Sequence, residues 1–544
     1  MSRKSSVHYI IAVMVKSILK IKTHCQNDMI TGARHLVNLL INNGVEVIFG
    51  YPGTPILGIY NELSKTDKIK HILTRHEQGA IHAAEGYARL KNKCGVVLVT
   101  SGPGMTNTIT GLVNAYTDGT PLVVITGITE TSGQNEFQDI DLIKLTQSCT
   151  KNIFIPNNLC DVERAVNSAF AAAMKYPQGP CVIGITRSLQ DALIQDKPYH
   201  KLPDEIKVDV SHSRILKSID MLKNAKTPLI IAGGGCKNAK YELSEFINLT
   251  HIPVVNTLMG TGVCDSHTSG MIGTNGGLNN SIKSADVVLA LGVRFTDRTT
   301  NYENNFLPKS KIINVNVIPN TSKNVSPVDE IIGETEIVLR HMIGVIKSKN
   351  MLFDIKYDWI DKLSQVNNFS NRILNKIYEY AKKYHPIITT DTGEHQIETV
   401  KIFKTEHFIT SGGMGAMGFG LPAAIGAYFA RPDLPILNIT GDGSFQMNIQ
   451  ELGTIARYNI PIKIIIMNNS SLGMIKTLQK EKYKTVFQSE LINPDFAKIA
   501  QAYGIEGYCI DSESKLNAVL KQMFTYKKAV VLDIKTSGSK KKYF

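Results

Sequence analysis

The residues best placed to do chemistry fall into two groups, far apart along the chain. In the carboxyl-terminal third, Gly441-Asp442-Gly443-Ser444 follows the apolar run Ile436–Thr440. The next apolar run, Lys463–Met467, closes on Asn468-Asn469, so Asn469 stands 27 residues after Asp442. Ligands of parallel α/β sheets gather at the carboxyl ends of strands. Two such ends on neighbouring strands bring the Asp442 and Asn469 side chains together. Their hard oxygens, with a backbone carbonyl and phosphate oxygens, suit octahedral magnesium. Gly441 and Gly443 let backbone N–H groups approach a diphosphate, and a helix expected to begin near Phe445 turns its amino end toward it. In the amino-terminal third, Arg75-His76-Glu77-Gln78 stands between a short strand, Ile72–Thr74, and a small-residue helix, Gly79–Ala88. A carboxylate in that apolar setting is poised for proton transfer.

These motifs resemble those of thiamine diphosphate enzymes, and of acetolactate synthase in particular. The GDG…NN spacing is similar to that family's diphosphate motif. Asp391-Thr392-Gly393-Glu394-His395-Gln396 and Ser411-Gly412-Gly413-Met414-Gly415-Ala416-Met417-Gly418 resemble its cofactor loops. Val97-Leu98-Val99-Thr100-Ser101-Gly102-Pro103-Gly104, then Asn107, together with Gly50-Tyr51-Pro52-Gly53, resemble its pyrimidine-binding domain. Phe137-Gln138 matches an FQ pair near the substrate. The likeness runs through residues 29–537.

The resemblance implies a decarboxylating carboligase that joins two 2-oxo acids, pyruvate with pyruvate giving 2-acetolactate, in branched-chain amino acid synthesis. Glu77 would protonate the cofactor's pyrimidine, with Phe137 and Gln138 beside the substrate. Asp442, Asn469 and the Ser471 carbonyl would hold magnesium. Pro103, Asn107, Gly393, Glu394, His395, Gly441, Gly443, Ser444 and Met474 would contact thiamine diphosphate. The Gly415 carbonyl would accept from its amino group, and Met417 would hold it bent. Glu77 and Asp442 would meet across two subunits, so a homodimer or homotetramer is expected, with a small regulatory subunit as a further partner. Sister reactions on the same scaffold, a 2-oxo acid decarboxylase or a pyruvate oxidase, and a homologue without turnover are the alternatives.

In the middle of the chain, Gly292-Val293-Arg294-Phe295-Thr296-Asp297-Arg298 resembles the RFxDR segment of flavin-containing members. FAD is expected there, with Arg298 in contact, and Gly233-Gly234-Gly235 would let the backbone approach a dinucleotide. Several positions depart from the family pattern. Asn314 and Asn316 stand where acids would hold a ribose, and Asn275 where a histidine is usual. Thr54 replaces a glycine facing the substrate, Glu394 a glutamine, and Leu478 a tryptophan that favours 2-oxobutanoate as acceptor. The only tryptophan is Trp359. The chain ends Ser537-Gly538-Ser539-Lys540-Lys541-Lys542-Tyr543-Phe544 without the family's PMV tail, so the lid over the site is expected to be absent or differently built.

These residues need rigid supports. Continuous apolar runs suit parallel strands covered on both faces. Such runs occur at Val45–Phe49, Gly95–Thr100, Leu122–Thr126, Cys181–Ile185, Leu229–Ala232, Val287–Leu291, Lys311–Val317, Ile387–Thr390, Ile436–Thr440, Lys463–Met467 and Val530–Ile534. Alternation with helical patterns, including Ile30–Asn43, predicts an α/β protein of three doubly wound domains with mainly parallel sheets. Polar stretches at Ser188–His212 and from Lys347 to Asn371 divide the chain. The predicted parts are an extension, 1–28; a pyrimidine-binding domain, 29–190; a central dinucleotide-type domain, 208–345; and a diphosphate-binding domain, 370–537.

Composition narrows the classes further. The net charge is +13, but the lysines are scattered without interleaved aromatics, so no nucleic-acid partner is expected. The 8 cysteines form no CxxC pair, which argues against a zinc site or a disulfide framework. No apolar stretch reaches about 18 residues, so no membrane span is expected. A reducing, cytoplasmic setting is expected, while residues 1–28 could also be read as a transit-like segment.

Overall fold

The computed structural model describes residues 29–130, 137–195, 210–264, 268–273, 276, 278–320, 322–353 and 369–536. The extension 1–28, Asn275, Trp359 and the tail from Ser537 lie outside the described residues. Each of the eleven apolar runs forms a strand, and together with seven further strands they build three sheets of six parallel strands among the described residues. The first sheet runs Lys70–Leu73, Val47–Gly50, Gly95–Val99, Leu122–Ile128, Pro180–Thr186 and Asn152–Phe154 from edge to edge. The third runs Phe408–Thr410, Ile387–Thr390, Ile436–Gly441, Lys463–Asn468, Val530–Lys535 and Glu506–Ile510. Numbered along the chain, both have the order 2-1-3-4-6-5. The central sheet runs Thr268–Met271, Val254–Asn256, Pro228–Ala232, Val287–Leu291, Lys311–Asn316 and Asp329–Ile332. Its order, 3-2-1-4-5-6, is that of dinucleotide-binding sheets.

Two local boundaries differ from expectation. The first helix starts at Gly32 rather than Ile30, because Met29–Thr31 pairs antiparallel with Leu193–Gln195 and the Thr31 hydroxyl then caps the helix, accepting from Arg34 N at 3.1 Å. The helix expected near Phe445 begins at Asp442, which puts that carboxylate in its first turn. Among the described residues, no helix is long and apolar enough to cross a membrane.

The first and third domains are joined by two helices rich in small residues, Glu77–Lys91 and Gly420–Ala430. A Cβ added at Gly426 would lie 1.8 Å from the Ala83 carbonyl oxygen, and one added at Gly86 would lie 2.1 Å from that of Ala423. Backbone therefore meets backbone, and Ala83, Ala84, Ala423, Ala424 and Ala427 merge the cores of the two domains into one. This seam fixes the helix that begins with Glu77 relative to the Asp442 loop.

Candidate active site

The third sheet reverses its strand order between Ile387–Thr390 and Ile436–Gly441. Ligands collect at carboxyl ends beside such a reversal. Asp391, Thr392 and Gly393 leave one strand there; Gly441 and Asp442 leave the other. Asp442 is buried and its Oδ2 accepts from Asn493 Nδ2 at 2.6 Å; burial pushes its carboxyl up. Asn493 also donates to Asn468 Oδ1 at 3.0 Å, and Asn468 donates to Asp533 Oδ1 at 2.9 Å. The chain then bends through Ser470, whose φ is 53°, and Ser471 N donates to Asn469 Oδ1 at 3.0 Å. Asn469 and Ser471 thus leave the strand end beside Asp442.

The same loops carry buried polar atoms without hydrogen-bond partners. Thr392 Oγ1 and His395 Nε2 are buried and unbonded. Burial lowers the His395 pKa to about 4 against a backbone hydrogen bond with Asp391, so the ring is neutral at physiological pH. A Cβ added at Gly473 would lie 2.6 Å from Glu394 Oε2 and 2.7 Å from Asn469 Nδ2, so the backbone runs close against both. Burial, and then the neighbouring Glu398, raise the Glu394 carboxyl. Ser444 Oγ lies 3.5 Å from the Thr392 carbonyl oxygen. The Met417 methyl overhangs the loop, 3.3 Å from a Cβ added at Gly443. Gly415 has φ 65° and, with Thr392 and Met474, lines a large cavity described below. One carboxylate, amide and carbonyl oxygens, and unpaired buried polar atoms fit a diphosphate with its magnesium. Among the described residues, no group of three or more His, Cys, Asp or Glu side chains suggests a softer metal.

Glu77 opens its helix, with His76 as the cap: His76 Nδ1 accepts from Gln78 N at 3.1 Å. The Glu77 side chain is buried and its Oε2 accepts from Asn107 Nδ2 at 2.9 Å. Gly102 has φ 58°, a turn that suits glycine, and lets Pro103 start the short helix Pro103–Thr106 leading to Asn107. A Cβ added at Gly53 would lie 2.4 Å from Thr100 Oγ1, itself buried and unbonded. Gln138 lies against Gly102 and accepts a long bond from Ser101 Oγ at 3.4 Å. Glu77, Asn107, Pro103 and Gln138 therefore form one group, with Phe137 87% exposed at its edge. Among the described residues, no hydrogen bond or ion pair joins this group to the Asp442 group.

Several residues that carry no motif hold the site together. Glu451 is fully buried; its Oε1 accepts from Arg75 N at 3.0 Å and His76 N at 3.1 Å, and its Oε2 from Thr454 Oγ1 at 2.6 Å. Burial raises its pKa to about 7. The third domain thus holds the backbone that enters the Glu77 helix. Asp118 accepts from Gly412 N at 3.0 Å, Gly413 N at 2.6 Å and Arg89 Nη2 at 2.9 Å. Burial would raise the Asp118 carboxyl, but the Arg89 guanidinium and the two glycine N–H groups outweigh it and hold it low. Asn114 Oδ1 accepts from Ser411 Oγ at 2.6 Å. The loop bearing Gly415 and Met417 is therefore tied to the first domain. As single polar residues inside helical patterns, Glu451, Asp118 and Arg89 carry no sequence signal that sets them apart from surface charges.

Arg298 fastens the same loop from the central domain, donating to Gly412 O at 2.9 Å and Gln396 Oε1 at 3.0 Å. It also stands on the wall of a cavity of about 1140 Å³ between the domains, with Gly234, Gly235, Arg294 and Asn316. The central sheet reverses its order there, between Pro228–Ala232 and Val287–Leu291. Asn316 donates to Val293 O at 2.9 Å, while Asn314 donates to Glu330 Oε1 at 3.0 Å across the neighbouring strand.

Three sheets of these orders, with a diphosphate loop in the last and a buried glutamate in the first, define the three-domain class of thiamine diphosphate enzymes. Residues 30–145, 215–342 and 391–534 match the families described as thiamine pyrophosphate enzyme N-terminal TPP binding domain, central domain and C-terminal TPP binding domain. The acetolactate synthase large subunit of Buchnera aphidicola subsp. Acyrthosiphon pisum is 38% identical over 536 residues, covering 91% of this chain and 93% of its own. A probable acetolactate synthase large subunit of Methanococcus aeolicus is 36% identical, covering 92% of this chain and 91% of its own. The acetolactate synthase isozyme 3 large subunit of Escherichia coli K12 is 34% identical, covering 95% and 96%. The chain belongs to the acetolactate synthase large-subunit family.

Proposed function

We propose that the protein condenses two molecules of pyruvate into 2-acetolactate with release of one carbon dioxide, using thiamine diphosphate and magnesium. The observation that carries this reading is the coexistence of both halves of the site. Glu77 is buried and held by Asn107, and Asp442 and Asn469 leave adjacent strands with unpaired polar atoms beside them. When bound, thiamine diphosphate supplies the electron sink for the electron pair released with carbon dioxide. Asp442, Asn469 and the Ser471 carbonyl would hold the magnesium, and Thr392 would donate to the diphosphate, with His395 beside it. Glu77 would hold the proton on the pyrimidine, and Gln138 would orient the acceptor. One carbon–carbon bond breaks at the carboxylate and one forms between the C2 atoms of the two acids. The acceptor's carbonyl oxygen takes up a proton.

By the family resemblance, Glu77 and Asp442 of one site come from two subunits, so the reading includes a second copy. The exposed Tyr51 and Phe137 beside one group, and Ile475, Leu478, Phe487 and Ile492 beside the other, offer apolar surface for it. A homodimer is the smallest such assembly. The relatives' designation as large subunits supports a small regulatory partner as well. The cavity of the central domain would take FAD: its position at the strand-order reversal and its glycine-rich wall fit a dinucleotide. The condensation involves no net oxidation, so the flavin would be structural. Leu478 is exposed where the resemblance expects tryptophan, which supports pyruvate rather than 2-oxobutanoate as acceptor.

Product analysis of purified protein with pyruvate, magnesium and thiamine diphosphate tests the reading, alongside Glu77→Gln. Acetolactate from the wild type, lost in a variant that still binds cofactor, is the expected result. Acetaldehyde or acetyl products from the wild type would overturn it in favour of a decarboxylase or an oxidase.

A further inference from the structure

The geometry points to Lys237 as the anion-recognition group of the central cavity, where it meets the diphosphate of a bound dinucleotide. This deepens the flavin reading and rests on it. Lys237 directly follows the turn Gly234–Cys236, at the carboxyl end of the strand Pro228–Ala232. Its side chain is half-buried and lines the cavity. Among the described residues, no hydrogen bond or ion pair engages its ammonium.

The other half-buried cations on that wall are spent, and Arg294 there is exposed. Arg89 is bonded to Glu85, Asp118 and the Thr410 carbonyl. Lys151 donates to the carbonyls of Ala172 and Lys175, and Arg298 to Gly412 O and Gln396. The nearby carboxylate, Asp118, already accepts from Arg89, Gly412 and Gly413. A charge held partly away from water without a partner is costly, and is retained where a ligand supplies the opposite charge. The glycine turn before Lys237 opens the backbone for close approach of a bulky anion, and the strand-order reversal is where dinucleotide diphosphates lie. In agreement, burial, with Arg89 and Lys240 nearby, lowers the Lys237 pKa to about 7.

The test is binding of FAD, riboflavin and ADP to the full chain stripped of flavin, followed by flavin fluorescence and calorimetry. Lys237→Met keeps the stem length and removes the charge; Lys237→Arg keeps the charge. Loss of a charge-assisted bond should raise the Kd for FAD at least about tenfold in the methionine variant. Riboflavin, which has no phosphate, should bind both proteins equally, and the arginine variant should bind FAD as the wild type does. Thermal midpoints without ligand verify that each variant is folded. Equal FAD affinity in wild type and Lys237→Met overturns the assignment. A wild type that binds ADP through Lys237 but not FAD refutes the flavin and keeps the lysine. A wild type that binds neither overturns both.

Discussion

Glu451→Gln isolates the ionisation of the carboxyl that joins the first and third domains. Its Oε1 accepts the backbone N–H groups of Arg75 and His76, and its Oε2 faces the Thr454 hydroxyl. A glutamine keeps the first oxygen and can offer its amide N–H to Thr454, so volume and bonds survive and only the charge is lost. Burial raises this carboxyl from 4.5 to about 7. The folded protein therefore holds the proton more tightly than the unfolded chain. Stability should fall as pH rises from 4.5 toward about 7, and level off above that. At about 1.4 kcal/mol per pKa unit, the full swing is about 3 kcal/mol. Glutamine has no such swing. Urea denaturation of cofactor-free wild type and variant at about pH 5 and about pH 8 measures it. The variant should gain about 2–3 kcal/mol on the wild type between the two values. An equal difference at both pH values would refute the buried ionisation. A variant that is weaker at both pH values yet gains the expected amount between them would show that glutamine does not preserve the bonds.

Asp442→Ala should abolish magnesium-dependent binding of thiamine diphosphate; an unaltered calorimetric titration would contradict the metal assignment. Glu394→Gln removes a carboxylate beside Asn469 and should tighten thiamine diphosphate binding at fixed magnesium. Equal or weaker binding would show that the carboxylate does not oppose the diphosphate. Gly426→Ala drives a methyl into the Ala83 carbonyl and should cost about 1–3 kcal/mol or more in denaturant stability. An unchanged midpoint would mean that the two helices part easily.

What was legible in the sequence is whatever neighbouring residues decide among themselves. Eleven apolar runs ending at glycine or polar residues became strands, because hydrophobic continuity and turn chemistry act over a few residues. The GDGS turn, the Asn468-Asn469 strand end and Glu77 before a small-residue helix stood out for the same reason. Boundaries were less legible. Thr31 could cap a helix only once Met29–Thr31 had found Leu193–Gln195, about 160 residues away.

Tertiary structure alone decided which polar groups pair across domains. Glu451 looks like any helical glutamate until the third domain brings it beneath Arg75 and His76. Arg298 carries a flavin-like motif, and only the fold shows that its guanidinium also bonds the loop of Gly412. Lys237 is one lysine among many until three domains close a cavity around it. Backbone periodicity is written by residues a turn apart, whereas burial of a charge and the identity of its partner depend on elements hundreds of residues away, which only packing brings together.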